Sequence, residues 1–119
     1  MNAEFILNEL RSVGTPEKAA RLQQFFKTGK GQYGEGDVFI GVVVPNTRLI
    51  AKGNLQTPLP ELNKLLKSKF HEARLCSLLI LTERFKKSKE KERKEIFDFY
   101  LKHADRINSW DLVDLTARR

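Results

Sequence analysis

Val38-Phe39-Ile40-Gly41-Val42-Val43-Val44 is the stretch on which the fold class of this 119-residue chain turns. β-Branched and aromatic residues fill every place but Gly41, so propensity alone reads a buried strand that Pro45 closes. It is the one strand signal in the sequence, and a single strand has no partner with which to pair.

The segments on either side read as helix. Upstream, Phe5, Ile6, Leu7 and Leu10 make an amphipathic stretch that Gly14 ends, and Thr15-Pro16-Glu17 restarts the helix with an N-cap and a proline at the first helical position. Ala19, Ala20, Leu22, Phe25 and Phe26 give the second helix its apolar positions. A loop then carries Gly29, Gly31, Gly34 and Gly36, a glycine density that no helix sustains. Downstream, Pro58 and Pro60 open a segment with Leu62, Leu65 and Leu66, followed by a broad apolar face of Ala73, Cys76, Leu79, Ile80 and Phe85. Ser88 is placed to cap a further helix with Ile96, Phe99, Tyr100 and Ile107 inside. Asn108 or Ser109 is placed to cap a last one beginning at Trp110. The expected architecture is an array of antiparallel helix pairs with one glycine-rich insertion, and periodicity leaves a bundle and an α-solenoid both open.

Composition sets the partner class. Lys and Arg number 22 against 15 Asp and Glu, for a formal net charge of +7, and the isoelectric point is near 9.7. Such a surface attracts polyanions, of which nucleic acid is the commonest a basic protein meets. Cys76 is the only cysteine, which excludes an intramolecular disulfide and a cysteine zinc site and suits a reducing compartment. Residues 1–10 lack a signal-peptide core, and no stretch approaches the ~20 apolar residues of a membrane span. A cytoplasmic, DNA-associated location is the expectation.

Four constellations bear on chemistry. Gly29-Lys30-Gly31-Gln32-Tyr33-Gly34 spells G-x-G-x-x-G, but a dinucleotide site needs a strand before it, a helix after it and an acid about 20 residues on. Here a helix precedes and Asn54 stands near the acid's place. What the loop offers instead is Lys27, Lys30 and exposed backbone N–H groups for a phosphate. The run from Lys86 to Glu95 reads as a solvated helix face with i,i+4 ion pairs, with DNA-backbone contact as the alternative. Phe70-His71-Glu72-Ala73-Arg74 starts like a zinc-binding H-E-x-x-H, but Leu75 occupies the second histidine's place, so these residues are expected to pin adjoining helices by hydrogen bonds. Finally, Ser109-Trp110-Asp111-Leu112-Val113-Asp114-Leu115 sets a tryptophan and a carboxylate four apart, on one face of a helix. That pair suits the stabilisation of a developing cation, or equally a core tryptophan with Asp111 serving the helix start.

Taken in order, residues 25–37, Phe39-Ile40-Gly41-Val42 with Val44-Pro45, Phe70-His71-Glu72-Ala73-Arg74 and Asn108-Ser109-Trp110-Asp111-Leu112-Val113-Asp114 resemble the DNA alkylation repair family, HEAT-like-repeat DNA glycosylases. The resemblance spans nearly the whole chain. It implies an all-α, HEAT-like helical-repeat solenoid in which residues 38–44 are an extended connection, against their propensity. It implies hydrolysis of the N-glycosidic bond of N3- and N7-alkylated purines in double-stranded DNA, with Asp114 stabilising the oxocarbenium-like sugar or orienting water. Trp110 then packs against the lesion nucleotide, and no metal or organic cofactor is called for, because the alkylated base carries its own activating charge. Family members continue through further helix pairs, so residues 1–119 are expected to form a single domain that is the N-terminal part of such an enzyme, monomeric when full length. The alternative of another class is a non-catalytic HEAT-repeat module that binds DNA or protein.

Overall fold

Helix caps and breakers divide the chain much as their chemistry dictates. The computed structural model describes residues 2–25 and 38–102. Six helices are present there: α1 (Ala3–Val13), α2 (Pro16–Phe25), α3 (Val44–Lys52), α4 (Leu59–Leu66), α5 (His71–Lys87) and α6 (Glu90–Lys102). Asn2 caps α1 by accepting the Phe5 N–H at 2.8 Å, and Gly14 closes it with its own N–H on the Leu10 carbonyl. Thr15 caps α2 through Oγ1, which accepts from the Lys18 N–H at 3.2 Å, and Pro16 takes the first helical place. Among the described residues no helix is long and apolar enough to cross a membrane.

α5 is the axis of the packing. Every residue from His71 to Leu81 is buried, so this part of the helix is covered on all sides, its apolar residues by the core and His71, Glu72, Arg74 and Ser77 with them. α1, α3, α4 and α6 surround it. Ile6 and Leu10 from α1, Ala51 from α3, Leu62, Leu65 and Leu66 from α4 and Ile96 from α6 join Leu75, Leu78 and Ile80 in one core. Burial of each such large side chain contributes about 1.5–3 kcal/mol. Polar ties fix the register: Ser77 Oγ donates to the Leu62 carbonyl at 3.1 Å, and the Ala3 N–H donates to Glu61 Oε1 at 2.9 Å. That hydrogen bond, with Lys64 beside it, holds the Glu61 carboxyl below its usual range.

Residues 38–43 are extended but not a sheet strand. Among the described residues the only ladder contact is an isolated parallel bridge between Val38 and Phe70. The apolar run is therefore split: its first part is a connection, and Val44 already belongs to α3. Pro45 sits near the start of that helix, where its missing N–H costs nothing, so it opens a helix and does not close a strand. Ser88 also differs from its expected role. It is the C-cap of α5, its hydroxyl donating back to the Arg84 carbonyl, while the Lys89 carbonyl accepts the first α6 bond from the Arg93 N–H at 2.9 Å.

Two glycines let the connection cross the α1–α2 corner. At Gly41, φ is +99°, and a Cβ there would lie 2.0 Å from the Thr15 carbonyl oxygen. At Gly14 a Cβ would meet Ile40 Cγ2 at 2.7 Å and its carbonyl oxygen at 2.8 Å. The Thr15 N–H donates to the Gly41 carbonyl at 3.2 Å, a backbone approach that the missing side chain of Gly41 permits.

Candidate functional site

α5 carries clusters of charged side chains at both of its ends. At its N-terminal end His71, Glu72 and Arg74 are all buried, a costly arrangement unless each is hydrogen-bonded. Glu72 meets that condition with three backbone donors. Its Oε1 accepts from the Ile40 N–H at 2.8 Å, and its Oε2 from the Gly41 and Val42 N–H groups at 2.8 and 3.0 Å. The amides that a neighbouring strand would have paired are thus paired by one carboxylate. Val38 is stitched to the same helix start, its carbonyl accepting from the His71 N–H at 2.8 Å and its own N–H donating to the Lys69 carbonyl at 3.3 Å. Phe39 stacks on the His71 ring at 4.6 Å between centroids, and Arg74 Nη1 donates to the Ser68 carbonyl at 2.8 Å. A carboxylate 1 % exposed with both oxygens engaged has no path to a substrate proton, so the cluster is a structural clamp, but what Glu72 pins is not the adjoining helix expected from the sequence. Its target is the connection's backbone.

The C-terminal end of α5 is strongly basic. The arginines there are built into the fold. Arg84 Nη1 donates to the Thr57 carbonyl at 2.7 Å, and Nη2 reaches Glu92 at 3.4 Å. Arg93 returns from α6 to close the end of α5, Nε on the Phe85 carbonyl at 2.9 Å, Nη2 on the Lys86 carbonyl at 3.2 Å and the guanidinium 5.2 Å from the Phe85 ring centre. The i,i+4 pairs that the spacing allows in this run, Glu90 with Lys94 and Lys91 with Glu95, are open; the pair formed within α5 is Lys86 with Glu83 at 3.7 Å. These cross-helix ties could not be read from the sequence, where the cations of this region all looked alike.

Lys27, Lys30, Trp110 and Asp114, the site residues expected from the sequence, lie outside the described residues, as do the Gly29–Gly34 motif and the caps at Asn108 and Ser109. Cys76 lies within them and is inert: burial, with Glu9 adding to it, pushes its thiol up to about 12. Among the described residues no three His, Cys, Asp or Glu side chains gather into a possible cation site.

What this scaffold belongs to is answered by comparison with known proteins. The sequence profile of the DNA alkylation repair enzyme family matches residues 6–119. No curated protein and no solved structure matches the chain. The profile covers every described helix wholly or nearly so, including the glycine crossing and the Glu72 clamp, and the all-α architecture is consistent with the helical-repeat fold of that family. The chain is a member of the DNA alkylation repair enzyme family.

Proposed function

We propose that this repair enzyme is a DNA glycosylase that hydrolyses the N-glycosidic bond of N3- and N7-alkylated purines in double-stranded DNA. The observation that carries the reading is that the family match runs through Trp110 and Asp114. Alkylation at N3 or N7 leaves a positive charge on the purine and so weakens the bond to the sugar. As that bond breaks, the deoxyribose gains oxocarbenium character, and the Asp114 carboxylate stabilises it or orients the attacking water. Trp110, four residues earlier, packs its ring against the lesion nucleotide and excludes bulk water. Lys27 and Lys30 contact phosphate, consistent with a net charge of +7.

The test is release of free 7-methylguanine and 3-methyladenine from methylated duplex DNA by the wild type and by Asp114→Asn. Loss of a stabilising group of this kind costs about 10²–10³-fold in rate, while duplex affinity should change little. Equal release by the two proteins sinks the assignment of Asp114. Duplex binding with no base release by either favours a non-catalytic helical-repeat module.

A further inference from the structure

The turn between α5 and α6 carries Lys87, Lys89, Lys91 and Lys94, all exposed. Among the described residues none of the four makes an ion pair, although Glu90, Glu92 and Glu95 lie among them in sequence. Glu92 is taken by Arg84, and Glu90 and Glu95 leave their i,i+4 partners open. The two arginines of this region are held by backbone carbonyls and by the Phe85 ring. The division of labour follows from side-chain chemistry. Guanidinium forks suit fixed, directional bonds, whereas ammonium groups on flexible stems act as adjustable point charges for phosphate. A shallow groove along one flank of the turn sets Arg84, Lys87, Lys89 and Lys91 beside Glu92 and Glu95, and Lys94 lines a second groove with Phe85 and Phe97, where Glu90, Glu95 and Asp98 are the acids. Lys87, Lys89 and Lys91 therefore stand at the two-residue turn, with Lys94 about one helical turn further along α6, and Arg93 and Ser88 close the turn by hydrogen bonds to α5 carbonyls.

We infer that this turn is a contact for the sugar-phosphate backbone of duplex DNA, independent of sequence and of lesion, formed by Lys87, Lys89, Lys91 and Lys94. The inference rests on DNA being the enzyme's partner and does not depend on which base is released or on Asp114. Unpaired lysines spread over a turn cannot read base edges; they neutralise phosphates and release counterions. This surface therefore adds affinity and retention on DNA and leaves lesion choice to the reacting site.

The experiment compares the wild type with two charge-matched variants, Lys87→Gln/Lys89→Gln/Lys91→Gln/Lys94→Gln and Arg21→Gln/Lys52→Gln/Lys67→Gln/Lys102→Gln. Affinity for an unmodified duplex is measured across a salt series. Every substituted side chain is exposed, and circular dichroism verifies folding. Removing one lysine–phosphate interaction lowers the slope of log K against log salt by about 0.9, so the slope should fall by roughly 2–4 in the turn variant and by less than about 1 in the control. An unchanged slope in the turn variant, an equal fall in both variants, or no duplex binding by the wild type overturns the inference. Base release from methylated duplex is measured in parallel at low salt. Its absence with the slope change intact counts against the glycosylase reading alone.

Discussion

Replacing Glu72 by Gln tests whether one carboxylate substitutes for a missing β-partner. The side chain is 1 % exposed, and its oxygens accept three backbone N–H groups at 2.8, 2.8 and 3.0 Å. Hydrogen bonds to a charged group contribute about 1.5–3 kcal/mol each, and a buried donor left without a partner costs about 1–3 kcal/mol. Glutamine keeps one acceptor oxygen but removes the charge and turns an NH₂ group toward an amide that needs an acceptor. The expected loss is about 3 kcal/mol, a large fraction of a domain stability of about 5–15 kcal/mol. For a chain of this size it corresponds to a fall in Tm of roughly 10–15 °C. Urea unfolding followed by circular dichroism gives the free energy, with the exposed Glu90→Gln as control. Hydrogen exchange supplies the local readout: the amides of Ile40, Gly41 and Val42 should lose protection in Glu72→Gln well before those of α5 from Leu75 to Ile80. A variant within about 0.5 kcal/mol of wild type, or one in which those three amides stay as protected as before, refutes the clamp.

Further predictions follow from the crossing and from the core. Gly41→Ala places a Cβ 2.0 Å from the Thr15 oxygen at φ +99° and should destabilise by about 3 kcal/mol, strain and overpacking together. Gly53→Ala, whose nearest neighbour is 3.6 Å away, should be neutral or stabilising by up to ~1 kcal/mol; equal effects of the two substitutions in thermal melts would contradict the close approach. Cys76, with its thiol pushed up to about 12 by burial, stays neutral at physiological pH. It should resist iodoacetamide in the native protein at pH 8 and react once urea unfolds it, as mass spectrometry of the modified chain will report.

The glycines and prolines show how local signals translate into structure. Gly14 and Thr15-Pro16 end one helix and start the next at the places their chemistry indicates, because a cap acts over three or four residues and needs nothing distant. Pro45 shows the limit: the same residue can close a strand or open a helix. The choice fell to helix because Val44 and Ala51 reach the α5 core. Similarly, the sequence distinguishes Arg84 and Arg93 from their lysine neighbours by type but not by role, since the carbonyls they bind are supplied by other parts of the fold.

Legible in the sequence were the helical class, the end of α1 at Gly14, the start of α2 at Thr15-Pro16, the opening of α4 at Pro58, the apolar positions of α5, the basic balance and the family resemblance of the motifs. Propensity, periodicity and capping are properties of neighbouring residues, and charge is a sum over all of them. Long-range packing decided that residues 38–43 run as a connection without joining a sheet. That outcome depends on Glu72, some thirty residues later, presenting an acceptor to each of three amides, and on Gly14 and Gly41 removing the atoms that would have blocked the crossing. Strand propensity describes how well a side chain tolerates an extended backbone. Where the amides of that backbone find their partners is a question of long-range geometry, and here a buried carboxylate supplies them.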